Sequence, residues 1–247
     1  MGGWPVPSSP VRNAMHKIPL VLMPGLDGTD IFFQPLLAAL PDTVERIVIR
    51  YPDHGPQDYP SLLAQLRARL KDVPAYHLLG WSFSGPLALM LAAAEPRKVR
   101  GVILAASFVR SPHPWLAGLG PWLAWPLVWL WRAARRVPLW LGRSRGDALR
   151  QAKSRTWREV NARVLAARLR VIARVDVRAE LQACQAPLLY IMSATDVIVP
   201  HRQVREITRL QPAVRLARIP GHHQALYTHP AEAVRAMEAF WAALPQR

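Results

Sequence analysis

Short apolar runs alternate along this chain with segments whose leucines recur at helical spacing, and no other feature restricts its fold as tightly. Residues 18–23, 44–50, 76–80, 99–105, 187–193 and 214–219 read as strands, rich in Val, Ile and Leu. The first of them closes on Pro24-Gly25, a turn signal. Residues 31–40, 62–70, 83–94, 200–210 and 230–244 read as helices; Leu62, Leu63, Leu66 and Leu70 trace one buried stripe. Strand and helix in alternation predict an α/β fold, a mostly parallel sheet with helices on both faces. About 17 residues precede the first strand, too few for an antiparallel edge hairpin, so six parallel strands are expected.

The alternation stops between residues 109 and 185, which are expected to form an inserted helical cap. Residues 18–108 and 186–247 are then the core. Residues 1–17, rich in Pro and Ser and without the apolar stretch of a secretory signal, read as a loose arm. Apolar residues make up 51% of the chain, enough to bury a sizeable core. The single cysteine, Cys184, excludes an internal disulfide and suits a reducing compartment; it reads as a structural thiol. A cytoplasmic protein is expected, one able to sit at the periphery of a membrane.

Two stretches of the insertion stand out. Residues 114–131 carry no charge and hold Trp115, Trp122, Trp125, Trp129 and Trp131, but Gly118, Gly120, Pro121 and Pro126 interrupt any continuous membrane-spanning helix. From Thr156 the chain reads as an amphipathic helix. Thr156 and Glu159 suggest a capping box, with Val160, Val164, Ala167, Val171 and Val175 on one face. The net charge of +16 is concentrated here: between residues 132 and 178 fourteen Lys or Arg face only Asp147, Glu159 and Asp176, so this stretch alone carries +11. Such a balance suits contact with something acidic, an anionic membrane surface, an acidic carrier protein or nucleic acid, while a solvated basic face is the alternative reading. No nucleic-acid-binding module accompanies the charge, so a nucleic-acid role is not expected.

The segment His77-Leu78-Leu79-Gly80-Trp81-Ser82-Phe83-Ser84-Gly85 carries the chemistry. An apolar strand turns into a helix within three residues, and so tight a turn requires small neighbours two positions either side of Ser82; Gly80 and Ser84 meet that demand. The Ser82 hydroxyl would stand at a helix N-terminus, where backbone N–H groups favour developing negative charge. A serine is a weak nucleophile until a base, itself held by an acid, takes its proton. Asp196 follows the fifth strand and His222-His223 follow the sixth. His222, His223 and His229 lack the spacing of a metal site, so neither a metal nor another cofactor is expected.

This strand–turn–helix, with Asp and His after later strands, resembles the α/β-hydrolase superfamily, its serine esterases and lipases of small bacterial type. The likeness covers most of residues 18–110 and 186–245 and implies the α/β-hydrolase fold. It departs at Ser84, where the family usually has Gly. The family's order of nucleophile, acid and histidine implies Ser82, Asp196 and His223; a Pro commonly stands seven residues after the histidine, and Pro230 selects His223 over His222. The acidic residue often found five after that histidine is absent, Thr228 standing there. Asp27, ahead of the nucleophile, is not the acid. Residues 23–29 stand where the family has its His-Gly turn, with Pro24 in place of His, which implies an oxyanion hole from the backbone N–H groups of Leu26 and Phe83.

The resemblance implies a serine hydrolase acting on a small carboxylic ester with an apolar acyl group, for which Trp81, Trp115, Trp122, Trp125 and Trp129 are candidate binding residues. Gly80-Trp81-Ser82 also resembles the pimeloyl-carrier methyl ester esterases. With the basic segment, this keeps open a thioesterase, esterase or acyltransferase acting on an acyl group held by an acidic carrier protein. A hydrolase fold retained as a non-catalytic binding module is the reading of another class, and retention of Ser, Asp and His weighs against it.

Overall fold

In the computed structural model of the chain, which describes residues 18–113 and 147–244, the six apolar runs pair into one parallel sheet. The strands are β1 (Leu20–Met23), β2 (Arg46–Val48), β3 (Tyr76–Trp81), β4 (Val99–Ala105), β5 (Leu188–Ser193) and β6 (Arg215–Ile219), in the order β2-β1-β3-β4-β5-β6. The chain steps outward from β1 to β2, then returns to lay β3 on the other side of β1. Such a reversal leaves a crevice at the carboxyl ends of the two central strands. Met23 is in register with Gly80, so the turns leaving β1 and β3 emerge side by side.

The described helices are α1 (Gln34–Ala39), α2 (Tyr59–Arg69), α3 (Ser84–Ala94), α4 (Asp147–Glu159), α5 (Ala162–Arg174), α6 (Arg178–Ala183), α7 (Arg202–Leu210), α8 (Ala225–Thr228) and α9 (Pro230–Ala242). They cover both faces of the sheet. Successive strand residues point to opposite sides. Val21, Leu78, Val102 and Leu104 accordingly pack with Leu62 and Leu66 of α2, Leu87 and Leu91 of α3, and Ile207 of α7. Leu20, Leu22, Leu79 and Ile103 pack with Leu36 of α1 and Met237 and Phe240 of α9. Both sides of β1 and β3 are dry, which is why these strands read as unbroken apolar runs.

The insertion departs from expectation in the placing of its helices. No helix starts at Thr156: that residue lies inside α4, and its hydroxyl donates to the Ala152 carbonyl at 2.9 Å. The break comes at Val160-Asn161, and Asn161 caps α5, its side chain accepting from the Arg163 N–H at 2.9 Å. An N-cap residue has non-helical φ and ψ, so Thr156, already inside a helix, cannot serve as one, and Asn adopts the extended cap conformation readily. The buried residues of α5 are Ala162, Val164, Leu165, Ala166, Arg168 and Ile172, whereas Ala167 and Val171 are only half-buried.

Val177 donates its N–H to the Val109 carbonyl at 2.7 Å and Ser111 to that of Val175 at 3.0 Å, so the chain leaves and rejoins the core at adjacent points. α6 follows at once and buries Leu181 with the residues of α3. Trp115, Trp122, Trp125, Trp129 and the arm 1–17 lie outside the described residues. None of the described helices is long and apolar enough to cross a membrane.

His77 on β3 packs against Trp241, ring centroids 5.9 Å apart, and its Nδ1 has no hydrogen-bonding partner among the described residues. Burial, assisted by the nearby Arg100 charge, pushes its pKa down to about 4. The folded protein therefore holds His77 neutral where the unfolded chain, with a pKa of about 6.5, takes up a proton. Stability should fall as the pH drops from about 6.5 toward 4, by up to about 1.4 kcal/mol per unit from this group. Urea unfolding of the wild type and His77→Phe across that range should give a flatter profile for the variant; parallel profiles would contradict the assignment.

Candidate active site

Ser82 sits at the tip of the turn from β3 to α3 with φ 52°, in the left-handed region that residues other than Gly rarely adopt. Its surroundings hold it there. The Ser82 N–H donates to Ala105 O at 2.9 Å, and its carbonyl accepts from the Ser107 hydroxyl at 2.7 Å and from the Gly85 N–H at 3.1 Å. Ser107 is fixed in turn by Tyr190 of β5, whose hydroxyl accepts from the Ser107 N–H at 3.2 Å and donates to its carbonyl at 2.8 Å. The glycines are dictated by space: a Cβ at Gly80 would lie 2.7 Å from the Ser84 carbonyl oxygen, and one at Gly85 would lie 1.7 Å from Ser107 Oγ. Phe83 stacks on Tyr59 at 4.9 Å, and the Tyr59 hydroxyl donates to the Phe83 carbonyl at 2.9 Å.

Three side chains from three loops meet above this turn. Ser82 Oγ lies 2.8 Å from His223 Nε2, and His223 Nδ1 lies 2.8 Å from Asp196 Oδ2. The other carboxylate oxygen, Oδ1, accepts from the Ile198 and Val199 N–H groups, both at 2.9 Å. Asp196 thus shapes its own loop as well as facing the histidine. Burial by itself would raise the Asp196 carboxyl, but the hydrogen bond and charge of His223 and the two N–H groups outweigh it and hold it below the usual carboxylate range. With Asp196 accepting at Nδ1–H, neutral His223 presents a bare Nε2 to the Ser82 hydroxyl.

The two adjacent histidines have different surroundings. His222 is exposed and turns to Thr195, with Nδ1 2.9 Å from its Oγ1 and 3.1 Å from its carbonyl oxygen. His223 is buried, and the Trp81 indole donates to its carbonyl at 3.3 Å. Expected as a binding residue, Trp81 is 4% exposed and packs edge-on against Phe32 at 5.6 Å. It is thus tied to the histidine loop. Asp27 accepts from the Thr29 N–H at 3.0 Å on the β1 side. Cys184 is buried, its thiol directed to the Ala186 carbonyl at 3.7 Å, and burial pushes its pKa up, as befits an inert structural thiol.

Leu26 belongs to the turn leaving β1, where the Gly28 N–H donates to Gly25 O at 3.0 Å, and Phe83 to the turn leaving β3. The register of those strands brings both to the same end of the sheet as Ser82. Sequence reading did not find Ser107, Tyr190, Tyr51 or Tyr59; nothing local marks them.

A family model described as "Alpha/beta hydrolase family" matches residues 20–237. Among curated relatives, the chain is 28% identical, over 93% of its length, to the biotin biosynthesis bifunctional protein of Cellvibrio japonicus, of which it spans only 49%. It is 27% identical to the pimeloyl-[acyl-carrier protein] methyl ester esterase of Neisseria meningitidis, covering 91% of this chain and 92% of that one. Among solved structures, a hydrolase from Pseudomonas aeruginosa PA01 superposes with a TM-score of 0.76 at 21% identity, covering 93% of this chain and 92% of the other. The enol-lactonase of Burkholderia xenovorans does so with a TM-score of 0.73 at 17% identity, covering 92% of each. At such identities the structures establish the fold.

The crowding at Gly85 can be tested directly. Gly85→Ala should cost about 1–3 kcal/mol in urea unfolding, because Ser107 and its Tyr190 anchor must give way. Adding Ser107→Gly should recover part of that loss; no recovery would mean that the strain lies elsewhere.

Proposed function

Because the chain belongs to the alpha/beta hydrolase family, we propose that it is a serine hydrolase of carboxylic esters, with Ser82 as nucleophile, His223 as general base and acid, and Asp196 as the group that orients the histidine. The observation that carries this reading is the hydrogen-bonded relay, 2.8 Å from Ser82 to His223 and 2.8 Å from His223 to Asp196. Ser82 Oγ attacks the ester carbonyl while His223 Nε2 takes its proton. The carbonyl oxygen, now an anion, is received by the N–H groups of Leu26 and Phe83. Collapse expels the alcohol, which leaves with the proton from His223. Water, activated by the same nitrogen, then frees the acid from Ser82.

For the substrate, we propose an acyl group borne by an acidic carrier protein. The activity for which the Neisseria relative is named supports it, as does the +11 carried by residues 132–178. Arg155 and Arg178 are partly committed to Glu159 and Asp176, both at 2.6 Å, and Arg168 is buried, so the docking face is narrower than the count of cations suggests. An anionic membrane surface is the competing partner for the same charge.

Ser82→Ala should abolish both turnover of p-nitrophenyl esters and labelling by a fluorophosphonate, a loss on the order of a thousandfold or more. His223→Ala should match it, and His222→Ala should cost far less. Labelling that persists in Ser82→Ala would place the nucleophile elsewhere. For the substrate, the methyl ester of a dicarboxylic acyl chain on a carrier protein should be hydrolysed at least about tenfold more efficiently than the same ester free, with the advantage shrinking as salt rises. Equal efficiency would remove the carrier and leave the esterase.

A further inference from the structure

We infer that Ser84 and Arg168 are positioning residues for this hydrolysis, holding the turn after β1 by its carbonyl oxygens so that the Leu26 N–H faces the developing oxyanion; the inference rests on the reading of Ser82 as nucleophile. The peptide that supplies the Leu26 N–H lies between two others. On one side, the Pro24 carbonyl accepts from the Ser84 hydroxyl. On the other, the Leu26 carbonyl accepts from Arg168 Nη1 at 2.9 Å. Its own carbonyl, that of Gly25, accepts from the Gly28 N–H at 3.0 Å. Peptide units are planar, so fixing three successive carbonyls fixes the direction of the N–H between them. A donor held in advance stabilises charge without reorganising during the reaction.

Each clamp is itself held. A carbonyl can only accept, so Ser84 gives its one proton to Pro24, and the Tyr51 hydroxyl, 2.5 Å away, must donate to Ser84. Burial raises the Tyr51 pKa further above its ordinary value, which keeps that proton in place. The guanidinium of Arg168, on α5, is 1% exposed and makes two further bonds, from Nη2 to Pro52 O at 3.1 Å and from Nε to Gln57 Oε1 at 3.0 Å. It lies over the Tyr51 ring, 5.4 Å from the centroid. Burial lowers its pKa to about 10, so it remains a cation at neutral pH.

A buried cation is costly unless fully paired, and these acceptors, two backbone carbonyls and the Gln57 side chain, belong to the two loops beside the proposed oxyanion site. Gly28 is required on the same grounds: a Cβ there would lie 2.3 Å from Arg168 Nη1. Ser84, the position where the family usually has Gly, is thereby given a task that glycine could not perform.

The test compares wild type, Ser84→Ala, Arg168→Met and Arg168→Lys on p-nitrophenyl esters. Active sites are titrated with a fluorophosphonate so that kcat is expressed per competent molecule. We expect kcat to fall about tenfold in Ser84→Ala and about 10- to 100-fold in Arg168→Met, with KM within about twofold. Arg168→Lys should recover part of the loss. A trifluoromethyl ketone, which forms a tetrahedral adduct on the serine, should lose affinity in step with kcat/KM. A merely structural role would lower the melting temperature and the titratable fraction while leaving kcat per site unchanged, and that result overturns the inference. Should Arg168→Met not fold, Ser84→Ala and Arg168→Lys decide by the same criterion. Wild-type protein without Ser82-dependent turnover would instead overturn the proposed function, and the inference with it.

Discussion

Ser82 is held in a backbone conformation that side-chain-bearing residues avoid at a cost of about 1–3 kcal/mol, and much of the core around it serves to make that conformation the stable one. Gly80 and Gly85 leave the room, Ser107 grips the Ser82 carbonyl, and Tyr190 grips Ser107. The strain lifts the hydroxyl clear of the sheet into reach of His223. Four strands contribute to this: β3 presents the serine, β4 and β5 brace it, and β1, in register beside β3, brings its own turn to the same height.

What could be read from sequence was whatever a short stretch specifies by itself. The strands are apolar on both faces and announce themselves, and the elbow is recognisable because the strand before it and the helix after it are both strong local signals. Asp196 and His223 were legible only through the resemblance to the family, which puts its acid and histidine after strands and a Pro seven residues past the histidine, where Pro230 stands. Trp81 was legible as an aromatic residue but not as a core one: only the tertiary packing on Phe32 shows which way the indole turns.

The residues that escaped are those whose partners lie far away in the chain. Arg168 reads as one cation among fourteen in a basic stretch, and no local pattern says that it passes beneath the surface to meet Leu26 and Pro52. Ser107 and Tyr190 are ordinary residues until the pairing of β4 with β5 brings them together. Thr156 failed for another reason. A Thr three residues before a Glu resembles a helix start, but the signal cannot say whether the hydroxyl caps a new helix or bonds back into an existing one.

The chain crosses from core to insertion and back at Val109 and Val177, two residues joined by a 2.7 Å hydrogen bond. Because the two ends are already tied together, the length and sequence between them are decoupled from the geometry of the sheet, and lengthening the excursion adds only a logarithmic entropy cost. The sheet and the insertion can thus diversify separately except where their residues meet: among the described residues, Ala152 of α4 and Ile172 of α5 pack into the two core clusters. Arg168 reaches out of the insertion into the loops of the core. A substitute insertion between the same two residues would have to bring both an apolar face for those clusters and a cation to the same depth.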